Sequence, residues 1–199
     1  MKRRVMGLVS VCLLAVSVLA VSNATAGAPV KFKWRISGQF IQNATELTQT
    51  GARAQADNLD YARVSGNGKF NSSTGTASGG GLFAHTSQNG TLVGFGTWTV
   101  TGLSDVQLFG CGTFSDGSEA PPDFCGGVLT LDVHLSGINV TLGPGQFDGV
   151  LVVTCLIGDT PEDIPPGAEE GITLDIPGVI NFDDLVPEES GLTLFQSRD

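Results

Sequence analysis

Apolar and polar residues alternate with a period of two over much of this chain. Val30, Phe32, Trp34 and Ile36 alternate with Lys31, Lys33, Arg35 and Ser37. That is the pattern of a strand with one face in a core and the other in water. Leu129, Leu131, Val133 and Leu135 alternate in the same way with Thr130, Asp132, His134 and Ser136, and Ile138 to Leu142 extends the pattern past Gly137. Val150 to Ile157 is apolar on both faces and reads as a central strand. Ile172 to Ile176 and Val179 to Phe182 are short strands around Pro177-Gly178, and Gly191 to Phe195 supplies a last one. Gly143-Pro144-Gly145 reads as a turn, and the polar stretch from Asn43 to Asp60 as a loop rather than a short helix.

Between Gly66 and Phe114 the pattern repeats. Gly66-Asn67-Gly68-Lys69-Phe70 is followed by Gly79-Gly80-Gly81-Leu82-Phe83, Gly94-Phe95-Gly96-Thr97-Trp98 and Gly110-Cys111-Gly112-Thr113-Phe114, and Gly38-Gln39-Phe40 is a truncated copy. In a strand each copy places two glycines and one ring on the same face. In a helix two glycines would cost roughly 2 kcal/mol relative to alanine. Rings from neighbouring strands can cover the bare glycine backbone, and glycines let a sheet coil. Asn71 to Gly75 and Gln88-Asn89-Gly90 supply turns, the latter with the Asn-Gly pair of two-residue hairpins. The expected fold is all-β: an antiparallel meander of Gly-rich strands forming a closed or partly closed β-barrel, with a β-sandwich as the alternative. Phe70, Phe83, Trp98 and Phe114 are expected on one side of the sheet.

Gly96-Thr97-Trp98 matches the Gly-x-Trp of lipocalins, but that motif belongs on the first lipocalin strand, and here it falls on the fourth or fifth. The Gly-rich strands are broadly similar to those of dirigent and allene oxide cyclase barrels. That is a likeness of architecture, which does not fix function.

The N-terminus carries an address. Met1-Lys2-Arg3-Arg4 is a basic head, Val5 to Val21 is apolar, and Ala24-Thr25-Ala26 offers the small residues of a cleavage site. Residues 1–26 read as a signal peptide and 27–199 as a single all-β domain. The formal charge of the whole chain is −10, and that of residues 27–199 is 7 − 20 = −13. Such acidity argues against nucleic acid and anionic membranes as partners. Outside the cell, Cys111 and Cys125, flanking an acidic loop with Pro121-Pro122, are expected to form a disulfide, leaving Cys155 free in its apolar strand. Asn43, Asn71, Asn89 and Asn139 begin glycosylation sequons, which a signal peptide of bacterial appearance makes incidental.

Catalytic motifs are absent from the sequence. His85 and His134 are the two histidines, and no Gly-x-Ser-x-Gly, His-Glu-x-x-His or phosphate loop accompanies them. The pairs Asp183-Asp184 and Glu188-Glu189 read as a solvated acidic edge. No metal and no cofactor is expected. The leading expectation is a secreted, non-enzymatic protein that binds a small apolar molecule or a surface partner, with Phe70, Phe83, Trp98 and Phe114 as lining candidates. A shape-driven isomerase or cyclase is the alternative, followed by a small outer-membrane barrel.

Overall fold

The computed structural model describes residues 30–37, 51–114, 117–159, 170–186 and 193–198. The signal-peptide segment, the truncated repeat at 38–40, and Glu188-Glu189 lie outside the described residues. Ten antiparallel strands form one sheet: β1 Lys31–Ile36, β2 Ala52–Ala56, β3 Tyr61–Asn71, β4 Thr76–Thr86, β5 Leu92–Cys111, β6 Phe124–Asn139, β7 Gly143–Cys155, β8 Gly171–Ile176, β9 Ile180–Leu185 and β10 Thr193–Ser197. There is no helix among the described residues. The all-β expectation holds.

The hydrogen bonds of the sheet run in a ring, because two long strands each serve two neighbours along one edge. β3 gives Tyr61–Val64 to β2 and Gly66–Asn71 to β1. β6 gives Phe124 and Cys125 to β10, and 127–139 to β7. At one end of the barrel-like sheet the ring passes through β2, β9, β8 and β7, and at the other through β1 and β10. The 20-residue β5 spans both, and register shifts after Val100, Leu103 and Leu108 bend it around the core.

Register explains the Gly-x-Gly repeat. Gly66 pairs with Gly81, Gly68 with Gly79, Val64 with Phe83, and Gly81 with Trp98. Phe70 and Trp98 are buried and Phe83 packs against the core. The glycines beside them face rings. A Cβ on Gly68 or Gly79 would lie 2.5 or 2.6 Å from the Trp34 ring, and one on Gly66 would lie 2.6 Å from Trp98. The glycines thus make room for Trp34 and Trp98 to sit flat against the backbone. Phe114 breaks the pattern. It lies beyond β5, bridged to Ile157 and exposed, because the Leu108/Gly110 bulge shifts the register before the fourth copy begins.

The core is filled. Leu129, Leu131, Val133 and Leu135 of β6 meet Leu151 and Val153 of β7, all buried as their alternation requires. Three loop assignments change. Ala52, Ala54 and Ala56 are buried on β2, where small side chains sit close to β3 without an obvious hydrophobic alternation. Gly143–Gly145 opens β7, while the turn falls at 140–142, where Asn139 Oδ1 accepts from the N–H groups of Thr141 and Leu142 at 2.9 Å each. The Asn89-Gly90 connection spans five residues, 87–91, between Thr86 and Leu92.

Cys111 and Cys125 are directly opposed and disulfide-bonded, and Cys155 is free and buried. Both match expectation. This bond suits an extracellular or periplasmic protein. No helix among the described residues is long and apolar enough to cross a membrane.

Candidate ligand-binding site

The hairpin turns 57–60, 87–91, 140–142 and 177–179 gather at one end of the sheet. Just inside them, two cross-strand rows are nearly bare. One runs Phe83–Gly96–Gly137–Gly145 across β4 to β7, and the next runs His85–Gly94–Asn139–Gly143. Five glycines among these eight positions leave few side chains to fill the space above Leu135. The result is a cleft of about 400 Å³, floored by glycine backbone.

Aromatic rings line this floor. The Phe83 ring lies over Gly96 and Gly137, where an added Cβ would come within 2.9 and 2.8 Å of it. Phe147 lies beside Gly145, 3.0 Å from where a Cβ would stand. Phe182 and Ile180 of β9, with Ile176 of β8, form the opposite wall. The rim is apolar and wet: Leu142 is 84% exposed and Val179 58%, both at turn tips. Exposed apolar side chains gathered around a concave opening mark a place where something docks.

One polar pair sits in this apolar wall. His85 Nε2 lies 2.9 Å from Asp60 Oδ2, with both side chains mostly withdrawn from water. The His85 ring meets the Phe182 ring edge to face at 5.3 Å. Asp60 is placed by a tight turn. Ala56 N–H donates to Asp60 O at 2.9 Å, Leu59 adopts φ +66°, and Asp60 N–H donates to Asn58 Oδ1 at 3.0 Å. With Nε2–H donated to the carboxylate, a neutral His85 ring keeps Nδ1 as an acceptor.

His85 belongs to the inward row that starts at Phe83, two residues earlier. His134 stands on the outer face, 2.7 Å from Asp148, as a surface pair. Among the four lining candidates, only Phe83 lines this cleft. Phe70 and Trp98 are buried in the core, and Phe114 is exposed elsewhere. Beneath the cleft, the space between Val64, Trp98, Val133 and Leu151 has no room for water. The rings act as packing, and the cleft is built by the glycines beside them.

At the edge of the same end, Asp57, Asp183 and Asp184 bring one carboxylate oxygen each within 4.8 Å of one another, all exposed. Oxygen donors of this kind suit a hard cation such as Ca²⁺. No family model, curated protein or solved structure matches this chain.

Proposed function

We propose that this is an exported, non-enzymatic carrier that holds a small, largely apolar molecule in the cleft at its hairpin end. The observation that carries the reading is an apolar cleft of about 400 Å³, floored by glycines, that contains one half-buried polar pair, His85 and Asp60. That volume lies in the range of roughly 300–1,000 Å³ usual for small-molecule sites. His85 Nδ1 would accept a hydrogen bond from one hydroxyl of an otherwise apolar ligand. Export is supported by the basic head, apolar run and Ala24-Thr25-Ala26 of residues 1–26, together with the disulfide. An aqueous setting is supported by the outer face. Lys33, Arg63, Lys69, Asp132 and Asp148 stand on outward positions of their strands, and lysine or arginine facing lipid at mid-membrane costs about 2–4 kcal/mol each.

Isothermal titration with a panel of fatty alcohols and terpenoids tests the reading. Saturable one-site binding by members that carry one polar group is expected. A panel that shows no saturable binding overturns it. A second reading, a shape-driven isomerase or cyclase, draws on the carboxylate-oriented imidazole, an arrangement that suits a general base. Conversion of a bound panel member, abolished in His85→Gln, would favour it over simple carriage.

A further inference from the structure

The basic residues of this acidic protein are segregated. Every Lys and Arg of residues 27–199 lies on β1, β2, β3 or directly after β10: Lys31, Lys33, Arg35, Arg53, Arg63, Lys69 and Arg198. Strands β1 to β4 contain no Asp or Glu. Strands β5 to β9 contain no Lys or Arg and carry Asp105, Asp132, Asp148, Asp175, Asp183 and Asp184. The neighbours of the basic residues along each strand, such as Phe32, Trp34, Val64 and Phe70, are buried, so the basic side chains project from the outer face.

Register brings like charges together. Lys33 is directly opposite Lys69, and Arg53 directly opposite Arg63. Arg198 N–H donates to the Lys31 carbonyl at 2.8 Å, which puts the Arg198 side chain at the same end as Lys31. Directly opposed like charges destabilise a sheet. Lys31, Lys33 and Lys69 make no ion pair among the described residues. Asp123, the acidic residue bordering this row, is hydrogen-bonded to Gln196 at 2.6 Å. From Asn71 to Arg63 the stripe follows β3 for about 26 Å at roughly 3.3 Å per residue.

We propose that this stripe binds a linear acidic polysaccharide laid along β3. Lys31, Lys33, Lys69 and Arg198 hold its anionic groups at one end, and Arg53 and Arg63 at the other. Asn67, Asn71 and Ser78 stand between and beside the charges and offer hydrogen bonds to sugar hydroxyls. Charge complementarity selects the occupant, and the surrounding surface narrows it. Tyr61 has one face covered by the Arg53 guanidinium, 4.2 Å from its ring centre, and the outward positions of β1 to β3 carry no second ring to make a stacking platform for nucleic-acid bases. The exposed apolar side chains at the stripe, Val30 beside Lys31 and Leu82 across from Ser65, are isolated aliphatic ones rather than the continuous apolar face a membrane-lying surface needs. The acidic β5–β9 face repels the flanks of a wide polyanion such as duplex DNA and leaves a thin chain as the best fit.

Biolayer interferometry of the purified protein on polygalacturonate and on dextran sulfate tests this, with dextran, duplex DNA and phosphatidylglycerol vesicles alongside. The expected result is saturable binding to an acidic glycan and none to dextran, weakening roughly tenfold or more between low and physiological salt. Lys33→Glu with Lys69→Glu should weaken binding at least tenfold at an unchanged thermal midpoint. Lys31→Glu with Arg198→Glu is the independent pair should the first variant fold poorly. Absence of binding to both acidic glycans, equal binding to dextran, no effect of either pair, or tighter binding to DNA or vesicles overturns the proposal.

Discussion

Trp34 and Trp98 stack with ring centres 5.6 Å apart at the middle of the core, yet their indole N–H groups fare differently. Trp98 Nε1 donates to the Ser65 carbonyl at 3.2 Å, whereas Trp34 Nε1 is buried with no partner among the described residues. A buried donor left unpaired costs about 1–3 kcal/mol, while a satisfied one contributes about 1 kcal/mol. Trp98→Phe should therefore destabilise the protein more than Trp34→Phe, by roughly 1–2 kcal/mol in urea unfolding. Equal losses would mean that lost ring volume alone sets the cost.

The glycines under these rings give a second expectation. A Cβ on Gly81 would stand 1.8 Å from the Ser65 carbonyl, and nothing lies within 4 Å of one on Gly75. Gly81→Ala has to push strands apart and should cost about 3 kcal/mol, near the upper end for overpacking. Gly75→Ala meets only its backbone conformation, φ +62°, and should cost about 1–2 kcal/mol. Urea midpoints in the reverse order would show that the strands separate easily.

Much of this fold is legible in the alternation, because a half-buried strand must place every second residue inside. β1 and β6 follow from that rule alone, whereas β7 is legible only from Val150, where both faces are apolar, because its glycine-rich start at Gly143 reads as a turn. β2 does not follow from the rule, since Ala52, Ala54 and Ala56 are too small to stand out among polar neighbours. The cleft was hidden for a related reason. Sequence patterns are carried by side chains that are present, and this site is made by those missing at Gly94, Gly137, Gly143 and Gly145. The signal that could have found His85 is its place two residues after Phe83, on the same inward row. Asp60 could not be found that way, because pairing Tyr61 with Thr86 is what brings it to His85.

The disulfide sits opposite the cleft, at the base of the excursion from β5 to β6. Closing a loop of this size constrains the unfolded chain by about 3 kcal/mol. Reduction should lower stability by about that amount. Burial, and then the charge of Glu170, push the Cys155 thiol well above its ordinary value of 9.0. Iodoacetamide should therefore label Cys155 only after denaturation, and peptide mapping should show a 111–125 linkage. Labelling of the native protein at Cys155 would contradict its burial.

Glu170 ties the start of β8 to the ends of β7 and β10. It accepts from Leu156 N–H at 2.6 Å, Thr193 N–H at 3.1 Å and the Thr193 hydroxyl at 3.0 Å. Burial nonetheless pushes its carboxyl above the ordinary value of 4.5. A raised folded value means that the folded protein holds the proton more tightly. This group's contribution is full below 4.5 and is lost as pH rises through the raised value. The stability difference between wild type and Glu170→Gln, which does not titrate, should shrink as pH rises above 4.5. A difference that grows with pH would show that the hydrogen bonds outweigh burial.

Gly145 separates ligand binding from folding. A Cβ there would meet only the Phe147 ring, at 3.0 and 3.2 Å, whereas one on Gly137 would meet the Phe95 carbonyl at 2.5 Å. The Phe147 ring is 42% exposed and free to swing outward, but the Phe95 backbone is held in the ladder. Gly145→Val should project two methyl groups into the cleft with a stability change of about 1 kcal/mol or less, since β-branched residues suit strands. Gly137→Val should unfold the hairpin end. If the cleft holds the ligand, Gly145→Val abolishes saturable binding of the alcohol and terpenoid panel while keeping its near-ultraviolet spectrum. Undiminished binding in a folded Gly145→Val protein would place the ligand elsewhere.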